Sequence, residues 1–568
     1  MDRITESLLR DFNAAFDLRS LTEQDLFEHF ANYCVVSQEF GDSFELDDVS
    51  IGGSHDTGID GLAILVNGCL VITPDEVVEL LRINKYLDVR FVFIQAKRSS
   101  NFKSSEIGNF LFGVKDFFTD EPQLPRNESL DSMAHVQAAI YDHAVSFRHG
   151  NPTCSLYYVT TGKWTGEAEP SARIASERGD LLSTGLFREV HFIPVGANEL
   201  QSFYRRTKNR VTATIEFPNR TVLPQINGVD EAYLGLLTAS QYLKLITDEV
   251  GNIRKALFYD NVRDFQNYNE VNIDISETLK SSNKDRFAVL NNGVTIVAKT
   301  LRVTGNEFRL EDYQIVNGCQ TSHVIYDERN QIDDTVYIPV RIIHTSDDDV
   351  TNAVIRATNR QTVVKTEDLQ ALTEFQKRLE QYFASFEGRK RLYYERRSKQ
   401  YADVGGIEKV RIISRSVLIR AFASMFLAEP HRASAYYATL LRLLGGKIFS
   451  DDHKLEPYYV SAVAYYRLEY FFRNNQLDGY YRPARYHLLM AVRHLLAPGR
   501  LPSLSANQIV ELCNNMIEVL WDDSKAIEIF GESCLLIDEA ALGEEWGRAR
   551  VKTQGFTDQM IRVLTKST

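Results

Sequence analysis

The spacing of hydrophobic residues changes twice along this chain of 568 residues and divides it into three regions. In the first region, helical spacing at Leu26, Phe30 and Cys34 precedes strand-like apolar runs, which lie at 62–66, 89–96, 155–162 and 189–196. Amphipathic segments at 74–86, 104–118 and 170–186 separate these runs and are typical of helices. Strands that alternate with helices predict an α/β domain over residues 1–212.

The alternation stops near residues 218–224, where two prolines interrupt the pattern. Residues 213–375 mix strand-like runs such as 287–303 with helical segments, which predicts an α+β domain. Beyond that point nearly every periodic segment is helical, including 371–386, 414–428 and 458–496. The predicted fold class is therefore a mixed α/β and α+β multidomain protein with an all-helical C-terminal domain over residues 376–568.

Composition narrows the class of protein. The chain is 44% hydrophobic and 25% charged, as in ordinary globular proteins, and it lacks the run of ~18 apolar residues that a membrane span requires. Its N-terminus has no basic patch followed by an apolar block, and its six cysteines show no CxxC spacing, so we expect a cytoplasmic protein without disulfides or a zinc site. The net charge of −13 means that nucleic-acid binding would require a local basic groove.

Three polar residues stand where two of the predicted strands begin or end. Asp60 precedes the first strand, and Gln95 and Lys97 end the next one. Residues two apart on a strand point to the same face, so Gln95 and Lys97 project together, and Asp60 can join them if the strands pair. Carboxylate and amide oxygens suit Mg²⁺ (or Mn²⁺), and Lys97 could orient a water for phosphodiester hydrolysis. A turn aspartate and a solvated lysine would be the ordinary interpretation of the same residues.

These residues resemble the PD-(D/E)xK nuclease superfamily, specifically its Mrr-like restriction branch. The match consists of the segments DTGIDG (56–61) and QAKR (95–98). The resemblance implies a restriction-endonuclease-like N-terminal fold, Asp60 and Gln95 as metal ligands, and Lys97 as the catalytic lysine. Gln95 replaces the commoner Glu, as in the Mrr-like branch, and a helical insert separates Asp60 from Gln95. Many members of the superfamily add a Glu from the first helix, for which Glu23 and Glu28 are both candidates, and Asp56 is a possible further acid.

The middle region is rich in Asn-Gly turns. The Asn317-Gly318 turn precedes Cys319, Gln320 and a helical run, so its amides, capped by Thr321 or Ser322, could form an anion site; a hairpin turn with an ordinary helix cap is the alternative.

Residues 220–400 resemble the AIPR family of abortive infection and phage resistance proteins. The resemblance is carried by the segments NVRD (261–264), NNG (291–293), NGCQT (317–321), NRQ (359–361) and YER (394–396), and by Asn272. It implies a role in bacterial defence, and it makes Asn292, Asn317 and Gln320 candidates for binding a nucleotide or nucleic acid. The Asn-Gly-x-Gln element is also similar to a turn of ParB-related domains, in which Asp stands at the position of Asn317.

The segment 389–399 carries six basic residues, one acid and two tyrosines. Its arginines could contact phosphates and its tyrosines could stack on bases, or the segment could be a solvated helix face with two buried tyrosines. The candidate residues are Arg389, Arg391, Arg396 and Arg397.

Taken together, these features predict a metal-dependent DNA endonuclease that acts in anti-phage defence. Its middle region would sense or bind nucleic acid, a nucleotide or a phage-derived trigger, and a homodimer would supply two sites for cutting two strands. Two alternatives stay open: a nucleic-acid-binding or nucleotide-binding regulator with a vestigial nuclease domain, and an RNA-cleaving toxin.

Overall fold

The structure is a computed structural model of the whole chain. It describes all residues except 19–20, 41–43, 53–55, 209–210, 248–250, 252, 259–269, 359–365, 397–399, 402–403, 405, 434–446, 544–546 and 567–568. None of the six cysteines, all of which lie in the described part, forms a disulfide. No helix among the described residues is long and apolar enough to cross a membrane.

The N-terminal domain is a five-stranded sheet between two layers of helices. Its strands are β1 (Gly61–Val66), β2 (Cys69–Val71), β3 (Val89–Lys97), β4 (Thr153–Thr160) and β5 (Glu189–Val195), in the order β2-β1-β3-β4-β5. Its helices are α1 (Arg3–Phe16), α2 (Glu23–Glu39), α3 (Pro74–Asn84), α4 (Ser104–Phe117), α5 (Glu128–Asp142), α6 (Ala168–Ser183) and α7 (Ala197–Thr207). The strands β2, β1 and β3 are antiparallel, whereas β3, β4 and β5 run parallel.

Both faces of this sheet are buried, which explains why its strands appear as continuous apolar runs. In β1, Ile64 packs into the core shared with α4 and α5, and Leu65 packs into the core shared with α1 and α2. Local capping fixes where the helices begin. Thr22 accepts the amide of Asp25 at the start of α2, and the carboxylate of Glu76 accepts the amide of Thr73 at 3.1 Å where Pro74 begins α3.

The middle domain is built on a six-stranded sheet of order β6-β10-β9-β11-β8-β7. Its strands are β6 (Thr212–Glu216), β7 (Asn219–Val222), β8 (Glu231–Thr238), β9 (Val294–Thr304), β10 (Glu307–Asn317) and β11 (Tyr337–His344). Its helices are α8 (Ala239–Ile246), α9 (Glu270–Lys280), α10 (Phe287–Leu290), α11 (Cys319–Asp327) and α12 (Asp348–Thr358). The mixture of strands and helices agrees with the predicted α+β class.

The C-terminal domain is mostly helical, but it also contains a two-stranded parallel sheet that the sequence pattern did not predict. Its elements are α13 (Thr366–Ala384), β12 (Tyr393–Glu395), β13 (Ile412–Ser414), α14 (Arg415–Phe426), α15 (Pro430–Ala433), α16 (Glu456–Arg473), α17 (Arg485–Leu496), α18 (Asn507–Trp521), α19 (Asp523–Ala541), α20 (Arg548–Val551) and α21 (Gln554–Lys566). The expected domain boundary at 375/376 falls inside α13. Phe375, Leu379 and Phe383 of that helix all pack into the C-terminal core.

Candidate active site

A tight turn delivers Asp60 to the edge of the N-terminal sheet. The carboxylate of Asp56 accepts the amide of Gly58 at 2.8 Å, and its carbonyl accepts the amide of Ile59 at 2.9 Å. The amide of Asp60 then donates to the carbonyl of Ile94 on β3 at 2.9 Å. Asp60 therefore enters the sheet one residue before β1 begins, opposite the end of β3. Asp56 shapes this turn, which is a common role for an aspartate.

The structure brings Asp60, Gln95 and Lys97 together at this edge. The Nζ atom of Lys97 lies 3.9 Å from Oδ2 of Asp60. The same carboxylate oxygen accepts the amide of Ala96 at 2.7 Å. Asp60 and Gln95 are each only 3% exposed, whereas the Lys97 side chain is 30% exposed. Lys97 can therefore reach solvent from a site whose other two members are buried.

The amide oxygen of Gln95 is a buried acceptor that the protein leaves unused. No donor in the described part of the chain makes a hydrogen bond to its Oε1 atom. A buried polar atom without a partner carries a free-energy penalty, which an ion or water bound there would remove. This observation fits a cation held between Gln95 and Asp60. Among the described residues, no three His, Cys, Asp or Glu side chains form a group that could hold a metal ion.

Electrostatics point to the same conclusion. Burial, together with the nearby charges of Glu28 and Asp56, raises the pKa of Asp60 to about 7, although Lys97 and the Ala96 amide act in the opposite direction. Burial also raises the pKa of Glu28. These shifts mean that the two carboxyl groups lack enough positive charge nearby to stay ionised easily. A divalent cation would supply that charge.

Glu28, and not Glu23, is the acid of the first helices that faces this site. Glu23 has an 81% exposed side chain and pairs with Arg98 at 2.7 Å. Glu28 is half-buried and interacts electrostatically with Asp60, Asp56 and Lys97. One helical turn further along α2, the buried side chain of Asn32 donates from Nδ2 to the carbonyl of Asp60 at 2.9 Å. Residues four apart on a helix share a face, so the sequence already indicated that Glu28 and Asn32 lie on the same side of α2.

The sequence did not reveal a second polar group beside Gln95. Tyr158 is paired with Gln95 in the β3–β4 register, and its hydroxyl donates to Oε2 of Glu106 at 3.1 Å. The other oxygen of Glu106 accepts from Lys103 at 2.9 Å. Burial opposes ionisation of Glu106, but the hydrogen bonds from Lys103 and Tyr158 lower its pKa overall. An ionised Glu106 also interacts with Lys97, so a second carboxylate borders the catalytic lysine candidate.

In the middle domain, the Asn-Gly turn joins β10 directly to α11. Gly318, with φ of +96°, is the N-cap of α11, and no side chain caps the helix. The expected capping by Thr321 or Ser322 is wrong. Ser322 donates to the carbonyl of Gly318 at 2.7 Å, and its oxygen lies 2.5 Å from the hydroxyl of Tyr242. The alternative combined a hairpin turn with a helix cap: no hairpin forms here, because β10 leads directly into α11, but Gly318 is the N-cap of that helix.

The polar residues of the middle domain gather near the start of α11. Gln320 accepts from Asn272 Nδ2 at 2.6 Å, which joins α9 to α11. Asn317 ends β10, and Asn292 lies beside Asn291, whose side chain accepts the amide of Gly293 at 3.0 Å. The segments 261–264 and 359–361 lie outside the described residues. Among the described residues, the NNG and NGCQT motifs and Asn272 thus lie at this end of the sheet, whereas the YER motif lies in the C-terminal domain.

The basic segment does not form the solvated helix face that was one of its two interpretations. Residues Gly388–Lys390 form a 3₁₀ turn and Tyr393–Glu395 form β12, because Tyr394 packs into the core. Arg389 pairs with Asp523 at 2.8 Å, Arg391 donates to the carbonyl groups at the end of α13, and Arg396 pairs with Glu380 at 2.9 Å. Arg397 lies outside the described residues. The three described arginines thus join parts of the C-terminal domain.

One region of the chain is similar to a known protein family. The family model described as AIPR protein matches residues 258–538. No curated protein and no solved structure matches the chain. The matched region begins later than the predicted 220–400 and extends much further, through most of the C-terminal domain. This region is therefore similar to AIPR proteins. The N-terminal domain lies outside the match.

Proposed function

We propose that this AIPR-region protein is a metal-dependent nuclease that hydrolyses phosphodiester bonds of DNA in anti-phage defence. The observation that carries the proposal is the buried convergence of Asp60, Gln95 and Lys97, joined by Glu28 from α2. The match of residues 258–538 to the AIPR family supports the defence role, and the N-terminal domain would supply the chemistry. We further propose DNA as the partner and a nucleotide or phage component as the trigger.

The residues present fit a hard divalent cation such as Mg²⁺ or Mn²⁺. The carboxylate of Asp60 and the amide oxygen of Gln95 would hold the cation. Glu28 interacts electrostatically with Asp60, so its negative charge would also favour a cation at this place. A bound cation would supply Lewis-acid stabilisation and a more acidic water. Lys97, with its ammonium beside Asp60, would orient the attacking water and offset negative charge on the phosphate. The tyrosine of the Tyr158–Glu106 pair would keep Glu106 ionised near Lys97.

A cleavage assay on the Lys97→Ala variant tests the proposal. Purified protein would be incubated with Mg²⁺ or Mn²⁺ and with plasmid, linear duplex, single-stranded DNA or RNA, alongside an EDTA control. We expect Lys97→Ala to lower the cleavage rate by about 100-fold or more, because it removes the group that orients water and stabilises developing charge. Lys115→Ala is the matched control. Lys115 lies at the C-terminal end of α4 and pairs with Asp180 of α6 at 2.9 Å.

Equal cleavage by the parent and Lys97→Ala would show that this site is not the nuclease centre. Cleavage of RNA alone would replace the DNA substrate with the toxin hypothesis.

A regulator with a vestigial nuclease domain is the second candidate. Two observations favour it: Gln95 stands where an acid is commoner, and the Asn272–Gln320 bond places amide groups at the start of α11. Nucleotide binding that is lost in Asn317→Ala, together with the absence of cleavage in any metal, would support this regulator.

A further inference from the structure

A short chain segment holds the main chain of Asp60 in place. The amide of Ile51 donates to the carbonyl of Asp60 at 3.1 Å, and the amide of Leu62 donates to the carbonyl of Val49 at 2.9 Å. Ser50 and Gly61 form an antiparallel bridge between these two bonds. Residues 49–51 therefore act as a short strand beside residues 60–62, and the position of Asp60 depends on where that strand lies.

Side chains of helix α2 form hydrogen bonds to the same segment. Besides its bond to the carbonyl of Asp60, Asn32 Nδ2 lies 3.4 Å from the hydroxyl of Ser50. That hydroxyl donates to the carbonyl of Leu46 at 2.8 Å and lies 3.0 Å from Nδ1 of His29. Because the single hydroxyl proton goes to Leu46, the histidine nitrogen is the donor to Ser50. The helix that carries Glu28 and the segment that supports Asp60 are thus joined by side-chain hydrogen bonds.

The C-terminal domain contacts the beginning of this segment. Arg482 of the 3₁₀ helix Gly479–Ala484 forms an ion pair with Asp47. The hydroxyl of Tyr465 on α16 donates to Oε1 of Glu45 at 2.7 Å. Tyr465 is 6% exposed, and the Arg482 and Asp47 side chains are 22% and 32% exposed, so water competes only partly for these contacts. Arg482 is itself held over the ring of Phe472 at 5.4 Å.

A third contact from the C-terminal domain reaches α2 directly. The ammonium of Lys409 contacts the hydroxyl of Tyr33 and lies 4.6 Å from the centre of its ring. Tyr33 follows Asn32, whose side chain supports Asp60. Both elements that shape the site, the segment 45–51 and α2, are therefore anchored outside the N-terminal domain.

From these contacts we infer that Arg482 and Tyr465 are positioning residues for the nuclease site, contributed by the C-terminal domain. This inference rests on the proposed function for its catalytic consequence. The contacts hold residues 45–48 fixed, the strand 49–51 transmits that position, and the carbonyl of Asp60 is kept where its side chain meets Gln95 and Lys97. The C-terminal domain, which belongs largely to the AIPR match, thereby controls the geometry of a site that lies outside the match.

Hydrogen exchange of the full-length Arg482→Ala variant tests the inference without relying on catalysis. We expect the amides of Ile51 and Leu62 to exchange about tenfold faster than in the parent, because local opening of 45–51 becomes easier. The amides of β4 should keep their protection, which shows that the sheet stays folded. Arg378→Ala is the matched control, since Arg378 pairs with Asp451 at 2.7 Å within the C-terminal domain.

Cleavage kinetics provide the second measurement. In Arg482→Ala we expect kcat to fall about tenfold while KM for DNA stays unchanged, because geometry and not substrate binding is affected. Arg482→Lys, which keeps the charge, should recover most of the rate. Asp47→Asn removes the same ion pair from the N-terminal domain, so it should reproduce both effects even if Arg482→Ala folds poorly.

The two measurements separate the failure of this inference from the failure of the proposed function. Unchanged exchange at Ile51 and Leu62 in both Arg482→Ala and Asp47→Asn overturns the inference, whatever the protein cleaves. Faster exchange in a protein that cleaves no polymer supports the coupling to Asp60 and contradicts the proposed nuclease function. Cleavage that rises when the ion pair is broken also overturns the inference, since the contact would then be inhibitory.

Discussion

At the scale of single residues, the site consists of acids held in an environment that disfavours their charge. Burial is the largest cause of the raised pKa of Asp60, and Glu28 adds to it as a like charge. Two carboxyl groups in such a place must either bind protons or bind a cation. At the proposed metal site, a proton and a cation would therefore compete for the Asp60 carboxylate.

Metal affinity should depend on pH because of this competition. The pKa of Asp60 is about 7, so below pH 7 a cation must displace a proton, whereas above pH 7 the carboxylate is already ionised. We expect Mn²⁺ affinity to rise about tenfold per pH unit below 7 and to level off above it. Electron paramagnetic resonance of free Mn²⁺ at several pH values would measure this.

Substitution of Glu28 checks the cause of the shift. Glu28→Gln removes a like charge near Asp60, so the midpoint of the pH dependence should move to lower pH. Glu23→Gln, on an exposed residue of the same helix, should leave the midpoint unchanged. An unmoved midpoint in Glu28→Gln would contradict the assignment of Glu28 to this site.

At the scale of elements, the close approach of α2 to β1 is what brings Glu28 and Asn32 to the site. It depends on a glycine at the start of β1, because a Cβ atom at Gly61 would lie 2.2 Å from Oδ1 of Asn32. Asn32 is fully buried, so it has no open space into which to move. The helix would have to shift away from the sheet to accommodate any side chain there.

Replacement of two glycines by alanine should have opposite effects on stability. Gly61→Ala should destabilise the protein by about 1–3 kcal/mol, since the added methyl overpacks the contact between α2 and β1. Gly531→Ala in α19 should stabilise it by up to about 1 kcal/mol, because nothing lies within 4 Å and alanine favours a helix. Urea unfolding of both variants would measure the difference, and equal stabilities would refute this account of the packing.

At the scale of the whole molecule, charged groups lie between the N-terminal and C-terminal domains. Glu45 meets Glu469 and Tyr465 of α16 and Arg485 of α17, with Asp48 nearby on its own segment. Burial and the like charge of Glu469 raise the pKa of Glu45 to about 7. The contact between the domains is therefore sensitive to protonation near neutral pH.

Stability should fall as the pH rises through this range. An unfolded glutamate has a pKa of about 4.3, so between that pH and 7 the folded protein binds the extra proton and the unfolded protein does not. The stabilisation is complete below pH 4.3 and is lost as the pH approaches 7. Glu45→Gln cannot ionise, so we expect its melting temperature at pH 8 to exceed that of the parent by about 2–4 °C.

The advantage of the same variant should be clearly smaller at pH 5, where Glu45 is neutral in the folded parent and only the unfolded parent gains from ionisation. Thermal unfolding at pH 5 and pH 8 would measure both, with the exposed Glu518→Gln as a control. A gain of equal size at the two pH values would mean that the effect of Glu45→Gln does not arise from its charge.

The secondary structure of the N-terminal domain follows closely from its sequence pattern. The apolar runs became β1, β3, β4 and β5, and the amphipathic segments became α3, α4 and α6. The predicted turn before β1 and the strand end at Lys97 came together as expected. These features depend on residues close to one another in sequence, where the periods of two and 3.6 residues determine which side chains share a face.

The sequence could not choose between Glu23 and Glu28, nor assign the basic segment. The first choice depends on how α2 packs against β1, and the second depends on partners such as Asp523, which lies 134 residues from Arg389. A charged residue shows in the sequence only that it is charged. Whether it faces solvent or an ion partner depends on the fold.

The sequence by itself determined the order of the three regions, most of the secondary structure of the N-terminal domain and the group of Asp60, Gln95 and Lys97, because each depends on local spacing or on the pairing of neighbouring strands. Only the tertiary structure decided that Glu28 joins that group, that the described arginines of the basic segment support the C-terminal domain, and that Arg482 holds the segment beside Asp60. Contacts between residues some 400 positions apart leave no periodic trace in a sequence, because they arise from how completed elements pack.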